Sequence, residues 1–254
     1  MFLAADIGNT NIVLGFKQGD TWSHILRIET SDPTEKYALI ISDFVLERNI
    51  DSSLIESVAL SSVVPWLTDP VIKILENLTK QRVYSLGPEF YHILPVKIRN
   101  PEEMGTDLIA NSLAAYNSAR SKCLVVDFGT ALTFTSVGDD GEILGVAIAP
   151  GLKTAMKSLS KSTAKLPEIP LVIPESALGK NTIHAMQAGI LLGYTGLVEK
   201  MIAKIKSEIG EPVRVYATGG LSSILSNLNY LFDEVNANLT LEGLHEFHKL
   251  VSRK

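Results

Sequence analysis

Asp6-Ile7-Gly8-Asn9-Thr10-Asn11 follows directly on the apolar run Phe2-Leu3-Ala4-Ala5. A short apolar run that ends at turn residues predicts a buried strand, and Ile12-Val13-Leu14-Gly15-Phe16 predicts the return strand of a hairpin. Backbone N–H groups at such a turn can cradle phosphate oxygens, and a carboxylate at its start can hold a divalent cation. An ordinary hairpin whose Asn and Thr side chains bond to their own backbone explains the same residues.

A second stretch repeats this pattern half a chain later. The apolar residues Val125-Val126 lead into Asp127-Phe128-Gly129-Thr130, and Asp127 lies 121 residues after Asp6. Two such turns predict two related half-domains, residues 1–118 and 119–254, whose turns face one cleft. Because two convergent carboxylates repel each other unless a cation lies between them, this arrangement favours a metal or nucleotide site.

Composition limits the classes of protein to consider. The chain has 254 residues, 46% of them hydrophobic and 20% charged, and a formal net charge of −5. This is typical of a globular protein of one large or two modest domains, and it argues against a general nucleic-acid or membrane-surface binder. The N-terminus lacks the pattern of a signal peptide, and the single Cys123 lies in an apolar run, so we expect a reduced core thiol in a cytoplasmic protein.

Strand and helix patterns alternate through the first half. A third strand is predicted over residues 23–30, and Ser31-Asp32-Pro33-Thr34 is typical of a helix start. Further strands are predicted at 57–64 and 82–86, with a helix at 71–78 between them after the breaks expected at Pro65 and Pro70. The order predicts an α/β fold.

Asp107 falls in the first turn of a predicted helix that begins after Gly105. A carboxylate there commonly caps the helix or compensates its dipole without any chemistry. The residues themselves leave the choice between a cap and a functional carboxylate open.

The second half continues with strands, a polar segment and a long helix. The Ser- and Lys-rich segment from Lys157 to Lys165 is predicted to be a mobile loop that can cover a cleft. Gly179-Lys180-Asn181-Thr182 precedes a long apolar helix that is too short for a membrane span. A last strand runs into Thr218-Gly219-Gly220, where a flat ring or ribose can lie against the backbone.

Taken together, these motifs resemble the acetate kinase, sugar kinase, Hsp70 and actin superfamily, and within it the type III pantothenate kinases. The resemblance covers essentially the whole chain in the family's order: a first phosphate motif from Asp6 to Gly15, a substrate motif from Asn100 to Asp107, a second phosphate motif from Asp127 to Phe134, a Gly-Lys-Asn-Thr helix opening from Gly179 to Gly189, and an adenosine motif at Thr218-Gly219-Gly220. It implies a duplicated ribonuclease H-like fold, also called the actin-like ATPase fold, in a homodimer. It also implies transfer of the ATP γ-phosphate to pantothenate, the first step towards coenzyme A.

The resemblance also implies roles for individual residues. Asp107 is expected to be the general base, Asp6 the Mg²⁺ ligand and Asp127 the ligand of a monovalent cation, K⁺ or NH₄⁺. ATP contacts are expected from Asp6, Ile7, Gly8, Asn9, Thr10, Asn11, Ile12, Val13, Thr130, Gly219 and Gly220. Pantothenate contacts are expected from Gly105, Thr106, Asp107, Leu108 and Thr182.

Two positions depart from the family's pattern. Ile98 stands where the family usually has a tyrosine, and Leu108 stands where it usually has an arginine expected near the substrate carboxylate. Two alternatives to a pantothenate kinase therefore stay open. One is a kinase of this superfamily that acts on another small alcohol, and the other is an ATP-binding regulatory or accessory protein without turnover.

Overall fold

The N-terminal hairpin begins a five-stranded mixed sheet in the computed structural model, which describes residues 1–30, 33–222, 224 and 226–252. Its strands are β1 (Phe2–Ile7), β2 (Asn11–Gln18), β3 (Thr21–Glu29), β4 (Ser57–Ser62) and β5 (Val83–Ser85). They lie in the order β3-β2-β1-β4-β5. The first three strands pair antiparallel, whereas β1, β4 and β5 run parallel.

The first half contains three helices, α1 (Thr34–Glu47), α2 (Pro65–Thr79) and α3 (Thr106–Ala119). The first two contribute to the core of this sheet, whereas α3 continues from the first compact unit into the second. The predicted helix start at Ser31-Asp32 lies outside the described residues. Pro65 occupies the first turn of α2, where its missing N–H costs nothing, but Pro70 lies inside the helix and does not interrupt it. The break expected at Pro70 is therefore wrong, because Leu67, Val71 and Leu75 bury one continuous face of the helix.

The second sheet repeats the first. Its strands are β6 (Cys123–Phe128), β7 (Ala131–Val137), β8 (Ile143–Pro150), β9 (Arg214–Thr218) and β10 (Glu234–Val235). They lie in the order β10-β9-β6-β7-β8, with β6, β7 and β8 antiparallel and β6, β9 and β10 parallel. Each strand thus has a counterpart in the first sheet, which confirms the predicted duplication.

The helices of the second half are α4 (Leu152–Ser162), α5 (Thr182–Gln187), α6 (Gly193–Ile209) and α7 (Leu239–Val251). A π-helical stretch, Ala188–Leu192, joins α5 to α6 into the predicted long helix. The segment predicted to be a loop at Lys157–Lys165 is helical as far as Ser162, so that prediction is wrong for most of its length. Leu152 and Met156 stand four residues apart and are buried, which gives the polar segment an apolar face.

The chain forms two compact units, Met1–Ala114 with Thr240–Lys254, and Ala115–Leu239. This division differs from the predicted one at the C-terminus, because α7 packs in the first unit. Lys17 on β2 forms an ion pair with Glu242 on α7 at 2.7 Å, and His248 stacks on Phe2. Gly243 lies against the backbone of Ala110 on α3, with no space for a side chain between them.

Each unit has its own apolar core. In the first, residues such as Leu3, Leu14 and Leu60 are fully buried between the sheet and its helices. In the second, Leu124 and Val215 have the same role. Within the part of the chain that the structure describes, no helix combines the length and the apolar character needed to cross a bilayer.

Candidate active site

The first predicted phosphate turn connects β1 to β2, and a threonine that sequence analysis did not select holds it in place. Gly8 donates its N–H to the carbonyl of Asn11 at 2.9 Å. Thr30, buried directly after β3, donates its hydroxyl to the Gly8 carbonyl at 2.7 Å and its N–H to the Thr10 carbonyl at 3.0 Å. Tyr37 in turn donates its hydroxyl to the Thr30 carbonyl at 3.0 Å. The turn is therefore fixed from the side of α1.

The residues of this turn that are predicted to contact ATP differ in exposure. The side chains of Ile7, Ile12 and Val13 are buried in the core, so these residues can offer a ligand only their backbone. Asn9 and Thr10 are exposed at the tip of the turn. Polar contacts at this turn can come from those two side chains, from the half-buried side chains of Asp6 and Asn11, and from backbone N–H groups.

Thr106 anchors the start of α3 to the end of β4. Its hydroxyl donates to the Ser62 carbonyl at 3.0 Å and accepts the Ser62 N–H at 3.0 Å, and it lies 2.9 Å from the Ser61 hydroxyl. These bonds use the one donor and the two acceptor sites of a hydroxyl. Asp6 pairs with Ser61 in the parallel ladder of β1 and β4. The segment that carries Asp107 is therefore held at the same end of the sheet as Asp6, where the parallel strands β1 and β4 finish.

Asp107 is the second residue of α3, and its Oδ1 accepts the N–H of Leu108 at 2.8 Å. Burial raises the pKa of its carboxyl, although bonds from backbone N–H groups act in the opposite direction. A Cβ at Gly105 would lie 2.5 Å from Asp107 Oδ1 and 3.4 Å from the Val63 side chain, so a side chain at this position would force the carboxylate to move. Desolvation makes this carboxylate a stronger base than an exposed aspartate.

The two positions that depart from the family pattern are both half-buried. Leu108 follows Asp107 in the first turn of α3, and Ile98 lies on the connector that leads to it. Lys97 and Arg99, the basic residues of that connector, are exposed.

The second predicted phosphate turn connects β6 to β7 and is one residue shorter than the first. Gly129 donates its N–H to the Ala131 carbonyl at 3.1 Å. The Thr130 carbonyl accepts the N–H of Gly151 at 3.0 Å and the hydroxyl of Thr154 at 2.7 Å. A side chain at Gly151 would collide with the Gly129 carbonyl, which explains the glycine at the start of α4.

Asp127 and the predicted adenosine turn lie together in the second unit. Asp127 pairs with Thr218 in the parallel ladder of β6 and β9, as Asp6 pairs with Ser61 in the first sheet. Gly219 has φ +91°, a conformation that favours glycine, and a Cβ there would collide with Asp127 Oδ1. Gly220 is exposed beside it.

Thr182, the remaining predicted substrate residue, begins α5 in the second unit and is exposed. Asn181 caps this helix by accepting the His184 N–H at 2.9 Å. The predicted site residues thus form one set around Asp6 and Asp107 in the first unit and another around Asp127 in the second.

Asp6 and Asp127 are the residues of these turns that are predicted to bind cations. Among residues 1–30, 33–222, 224 and 226–252, no group of three or more His, Cys, Asp or Glu side chains is arranged to hold a metal ion. Asp6 and Asp127 each supply carboxylate oxygens, the donors that hard cations prefer. Such sites suit a cation that arrives with the phosphates of a nucleotide.

A cavity of about 510 Å³ lies at the other end of the second sheet. It is lined by the C-terminal part of α6, by Gly210 and Glu211, and by Tyr230 and Leu231. Gly210 and Glu211 precede the first residue of β9, whereas Thr218 ends that strand. The cavity is therefore separate from the predicted nucleotide-binding turns.

Cys123 begins β6, at the end of that strand remote from Asp127. It is a buried free thiol, as predicted, and burial raises its pKa to about 12. Because the thiolate is the reactive form, this cysteine is a poor nucleophile and has a packing role.

Comparison with known proteins identifies the family of this chain. The family model of type III pantothenate kinases matches residues 2–204. A type III pantothenate kinase from Myxococcus xanthus is 39% identical over 246 residues, covering 96% of each chain. Another, from Treponema pallidum subsp. pallidum, is 40% identical over 258 residues, covering 98% of this chain and 94% of its own.

Solved structures show the fold. The activator of 2-hydroxyisocaproyl-CoA dehydratase from Clostridium difficile, with bound ADPNP, superposes with a TM-score of 0.53 at 12% identity, covering 99% of this chain and 96% of its own. MreB5 of Spiroplasma citri, bound to ADP, gives a TM-score of 0.53 at 12% identity, covering 99% and 97%. The duplicated sheets are therefore those of the actin-like ATPase fold. With this fold and with relatives matched over nearly their whole length, the chain belongs to the type III pantothenate kinase family.

Proposed function

We propose that this protein transfers the γ-phosphoryl group of ATP to the primary hydroxyl of pantothenate. The products are ADP and 4'-phosphopantothenate, the first intermediate on the way to coenzyme A. The observation that carries the proposal is the half-buried carboxylate of Asp107, which follows the anchored Thr106 at the same end of the sheet as Asp6, in a member of this family.

Asp107 acts as the general base in this proposal. The substrate hydroxyl oxygen forms a bond to the γ-phosphorus as the bond to the β–γ bridging oxygen breaks, and the hydroxyl proton passes to Asp107. Phosphoryl transfer depends mainly on in-line positioning and charge stabilisation, so the base contributes only part of the acceleration, about 10²- to 10⁴-fold. The raised pKa of Asp107 suits this role, because it brings the base nearer to neutral pH.

Asp6 is proposed to hold Mg²⁺, and the residues present fit that ion. Mg²⁺ is usually bound by one or two carboxylates together with waters and substrate phosphates, rather than by a protein cage. A single carboxylate at the start of a phosphate turn meets that requirement. When bound, the ion offsets negative charge on the phosphates.

Asp127 is proposed to bind a monovalent cation, K⁺ or NH₄⁺. The support is its carboxylate at the start of the second turn, beside Gly219. Thr130, Gly219 and Gly220 are proposed to contact ATP.

Pantothenate contacts are proposed for residues 105–108 and for Thr182. Because the Thr106 hydroxyl is already saturated by Ser61 and Ser62, Thr106 would contact the substrate through its backbone. Leu108 can offer apolar contact only.

The protein is further proposed to be a homodimer. β8 forms an edge of the second sheet, and Leu144 and Ile148 on this strand are 42% and 69% exposed. An exposed apolar edge strand is a ready surface for pairing with a second copy.

The test of the activity is ADP release from ATP by the purified protein, with and without pantothenate. Pantothenate-dependent release is expected, and Asp6→Asn should depress it strongly without unfolding the protein. Release with another small alcohol would indicate a different substrate, and nucleotide binding without turnover would indicate a regulatory protein.

A separate measurement tests the monovalent cation. Turnover is followed in KCl, NH₄Cl and a salt of a bulky organic cation at equal ionic strength. Asp127→Ala should remove any stimulation by K⁺ or NH₄⁺, and an unchanged cation dependence would remove Asp127 from this role.

A further inference from the structure

We propose that Thr30 and Thr154 are positioning residues that keep the backbone carbonyls of the two phosphate turns directed away from bound nucleotide. The inference rests on the proposed ATP binding. Neither residue belongs to a turn itself, and each contacts one from the segment that follows the third strand of its sheet.

Thr30 makes two of its bonds to the first turn. Its hydroxyl donates to the Gly8 carbonyl at 2.7 Å, and its N–H donates to the Thr10 carbonyl at 3.0 Å. Thr30 is 6% exposed, and its own carbonyl accepts the hydroxyl of the fully buried Tyr37. The threonine is therefore held rigidly while it binds the turn.

Because the peptide unit is planar, a hydrogen bond that holds a carbonyl also fixes the direction of the N–H that follows it. In a trans peptide the C=O and the following N–H point in opposite directions. When Thr30 holds the Gly8 carbonyl, the N–H of Asn9 is directed away from Thr30. Asn9 is exposed at the tip of the turn, so its N–H is directed to the side of the turn that lies away from Thr30.

Thr154 acts in the same way on the second turn. Its hydroxyl donates to the Thr130 carbonyl at 2.7 Å, and Gly151 donates its N–H to the same oxygen at 3.0 Å. The N–H of Ala131 is thereby directed to the opposite side. The backbone bond from Gly151 to Thr130 has a direct counterpart in the bond from Thr30 to Thr10, because Ala131 pairs with Pro150 as Asn11 pairs with Glu29.

The two hydroxyl bonds are not copies of each other. In the first turn the hydroxyl comes from the residue that also donates its N–H, whereas in the second it comes from Thr154, three residues further along the chain. The two halves thus meet the same requirement with different residues. Carbonyl and phosphate oxygens are both negative, so a turn that binds phosphate must keep its carbonyls turned away.

The first experiment compares Thr30→Val with Thr79→Val. Thr79 is also buried and donates its hydroxyl to a backbone carbonyl, that of Leu75, at 2.8 Å, but it lies at the end of α2. Both changes remove one hydroxyl at nearly constant volume. We expect Thr30→Val to weaken ATP and ADP binding about 5- to 20-fold, while Thr79→Val leaves binding unchanged.

Adenosine separates positioning from general damage. Because adenosine has no phosphate, Thr30→Val should weaken adenosine binding far less than ATP binding. The ratio of ATP affinity to adenosine affinity should therefore fall. Thr30→Ser should restore most of the ATP affinity, because it restores the hydroxyl. Thermal unfolding of each variant shows whether the protein remains folded under the binding conditions.

The second experiment compares Thr154→Val with Thr163→Val. Both threonines are exposed on or next to α4 and donate to a backbone carbonyl, at 2.7 and 2.8 Å. Only Thr154→Val should lower the ratio of ATP to adenosine affinity.

The outcomes distinguish this inference from the proposed function. If the parent protein binds ATP and turns over pantothenate while Thr30→Val and Thr154→Val bind ATP normally, the positioning roles are wrong and the proposed function stands. If the parent protein binds no ATP, the proposed function itself fails. Equal loss of ATP and adenosine binding in the two variants would also overturn the inference, because it would indicate a general structural effect.

Discussion

Asp107 has a backbone hydrogen bond in the first turn of a helix, as expected of a structural carboxylate, and a raised pKa, as expected of a general base. Its Oδ1 accepts the Leu108 N–H, a backbone donor of the first helical turn, but burial raises its pKa, which favours the protonated form. Burial therefore makes the ionisation of Asp107 cost free energy, a cost that an exposed capping carboxylate does not have. This combination is typical of a carboxylate retained for chemistry.

Asp107→Asn separates the two roles. If Asp107 is the base, kcat should fall about 10²- to 10⁴-fold while ATP binding is kept. Because asparagine carries no charge and can still accept the Leu108 N–H, the melting temperature should stay the same or rise. Normal turnover in Asp107→Asn would instead indicate a cap, and Asp107→Ala, which removes the accepting oxygen, should then lower the stability by about 0.5–2 kcal/mol. Asp69→Asn, at an exposed position of α2, is the control.

The same carboxyl predicts the acid limb of the pH–rate profile. Since only ionised Asp107 can accept a proton, the rate should fall as the pH drops through its pKa. The raised pKa places this limb above the ordinary aspartate value of 3.8. A profile of kcat/KM that stays flat down to that value would contradict the assignment.

Leu108 predicts weak binding of the pantothenate carboxylate. A leucine offers only apolar contact, whereas an arginine can hold a carboxylate with two hydrogen bonds. Leu108→Arg should therefore lower the KM for pantothenate, and Arg99→Ala should raise it if the connector supplies the missing cation. If neither change moves KM, another substrate becomes the better explanation of this position.

At the scale of elements, side-chain contacts join α7 to the first unit. Glu242 accepts hydrogen bonds from Lys17 at 2.7 Å and from the Trp22 indole at 2.6 Å. Lys17 also lies over the Trp22 ring, 4.8 Å from its centroid. On the α3 side, Thr240 donates its hydroxyl to Asn111 at 2.8 Å.

Because Gly243 of α7 lies against the backbone of α3, glycine-to-alanine changes at two different positions are predicted to have opposite effects on stability. Gly243→Ala places a methyl group against the Ala110 backbone, so it should destabilise the protein by about 1–3 kcal/mol. Gly196→Ala, in α6 where a Cβ meets open space, should be neutral or stabilise by up to about 1 kcal/mol. Urea unfolding of both variants at matched oligomeric state is the measurement. Equal effects would contradict the close approach of the two helices.

α7 also predicts a pH dependence of stability. Burial and the nearby Lys249 and Lys17 lower the pKa of His245 to about 4, opposed by Glu242 and Glu246, and burial lowers the pKa of His248 as well. The folded protein keeps His245 neutral where the unfolded chain binds a proton. Its contribution to stability is therefore fully present above pH 6.5 and is lost as the pH falls towards 4.

His245→Phe tests this dependence. The fall in melting temperature between about pH 6.5 and about pH 4.5 should be smaller in this variant than in the parent protein. The same fall is measured in His24→Phe, on β3, as the matched histidine replacement. An identical pH dependence in all three proteins would remove His245 from this role.

At the scale of the whole molecule, the two duplicated sheets differ in what their edges expose. The counterparts β3 and β8 are both edge strands, yet β8 carries exposed apolar side chains along its length, with Ile148 at 69%. This difference is the basis of the proposed homodimer.

Ile148→Lys is expected to disrupt a dimer formed through β8, because it places a charge on that edge. Light scattering coupled to size-exclusion chromatography should show a shift towards monomer at micromolar concentration. Leu46→Lys, at an equally exposed apolar position on α1, is the matched control. A monomeric parent protein, or a dimer that Ile148→Lys leaves intact, would refute the proposed surface.

Sequence alone determined the features that depend on local pattern: the two hairpins that begin at Asp6 and Asp127, the alternation of strands and helices, and the helix start at Asp107. Their signals are apolar runs ended by turn residues, which need no knowledge of the rest of the chain. It also led to the family, which the comparisons confirmed. The helix α4 was not predicted, because most of its residues are polar and only Leu152 and Met156 are buried. The elements β10 and α7 were not predicted either.

Only the tertiary structure decided which residues hold these motifs in place. Thr30, Thr106 and Thr154 each bond to backbone groups of another segment, and a threonine carries no sign in the sequence of the carbonyl it will meet. The same holds for α7, whose place in the first unit depends on contacts of Lys17 and Ala110 with residues more than a hundred positions away. Such contacts arise when separate elements pack, so they depend on the three-dimensional arrangement and not on local sequence pattern.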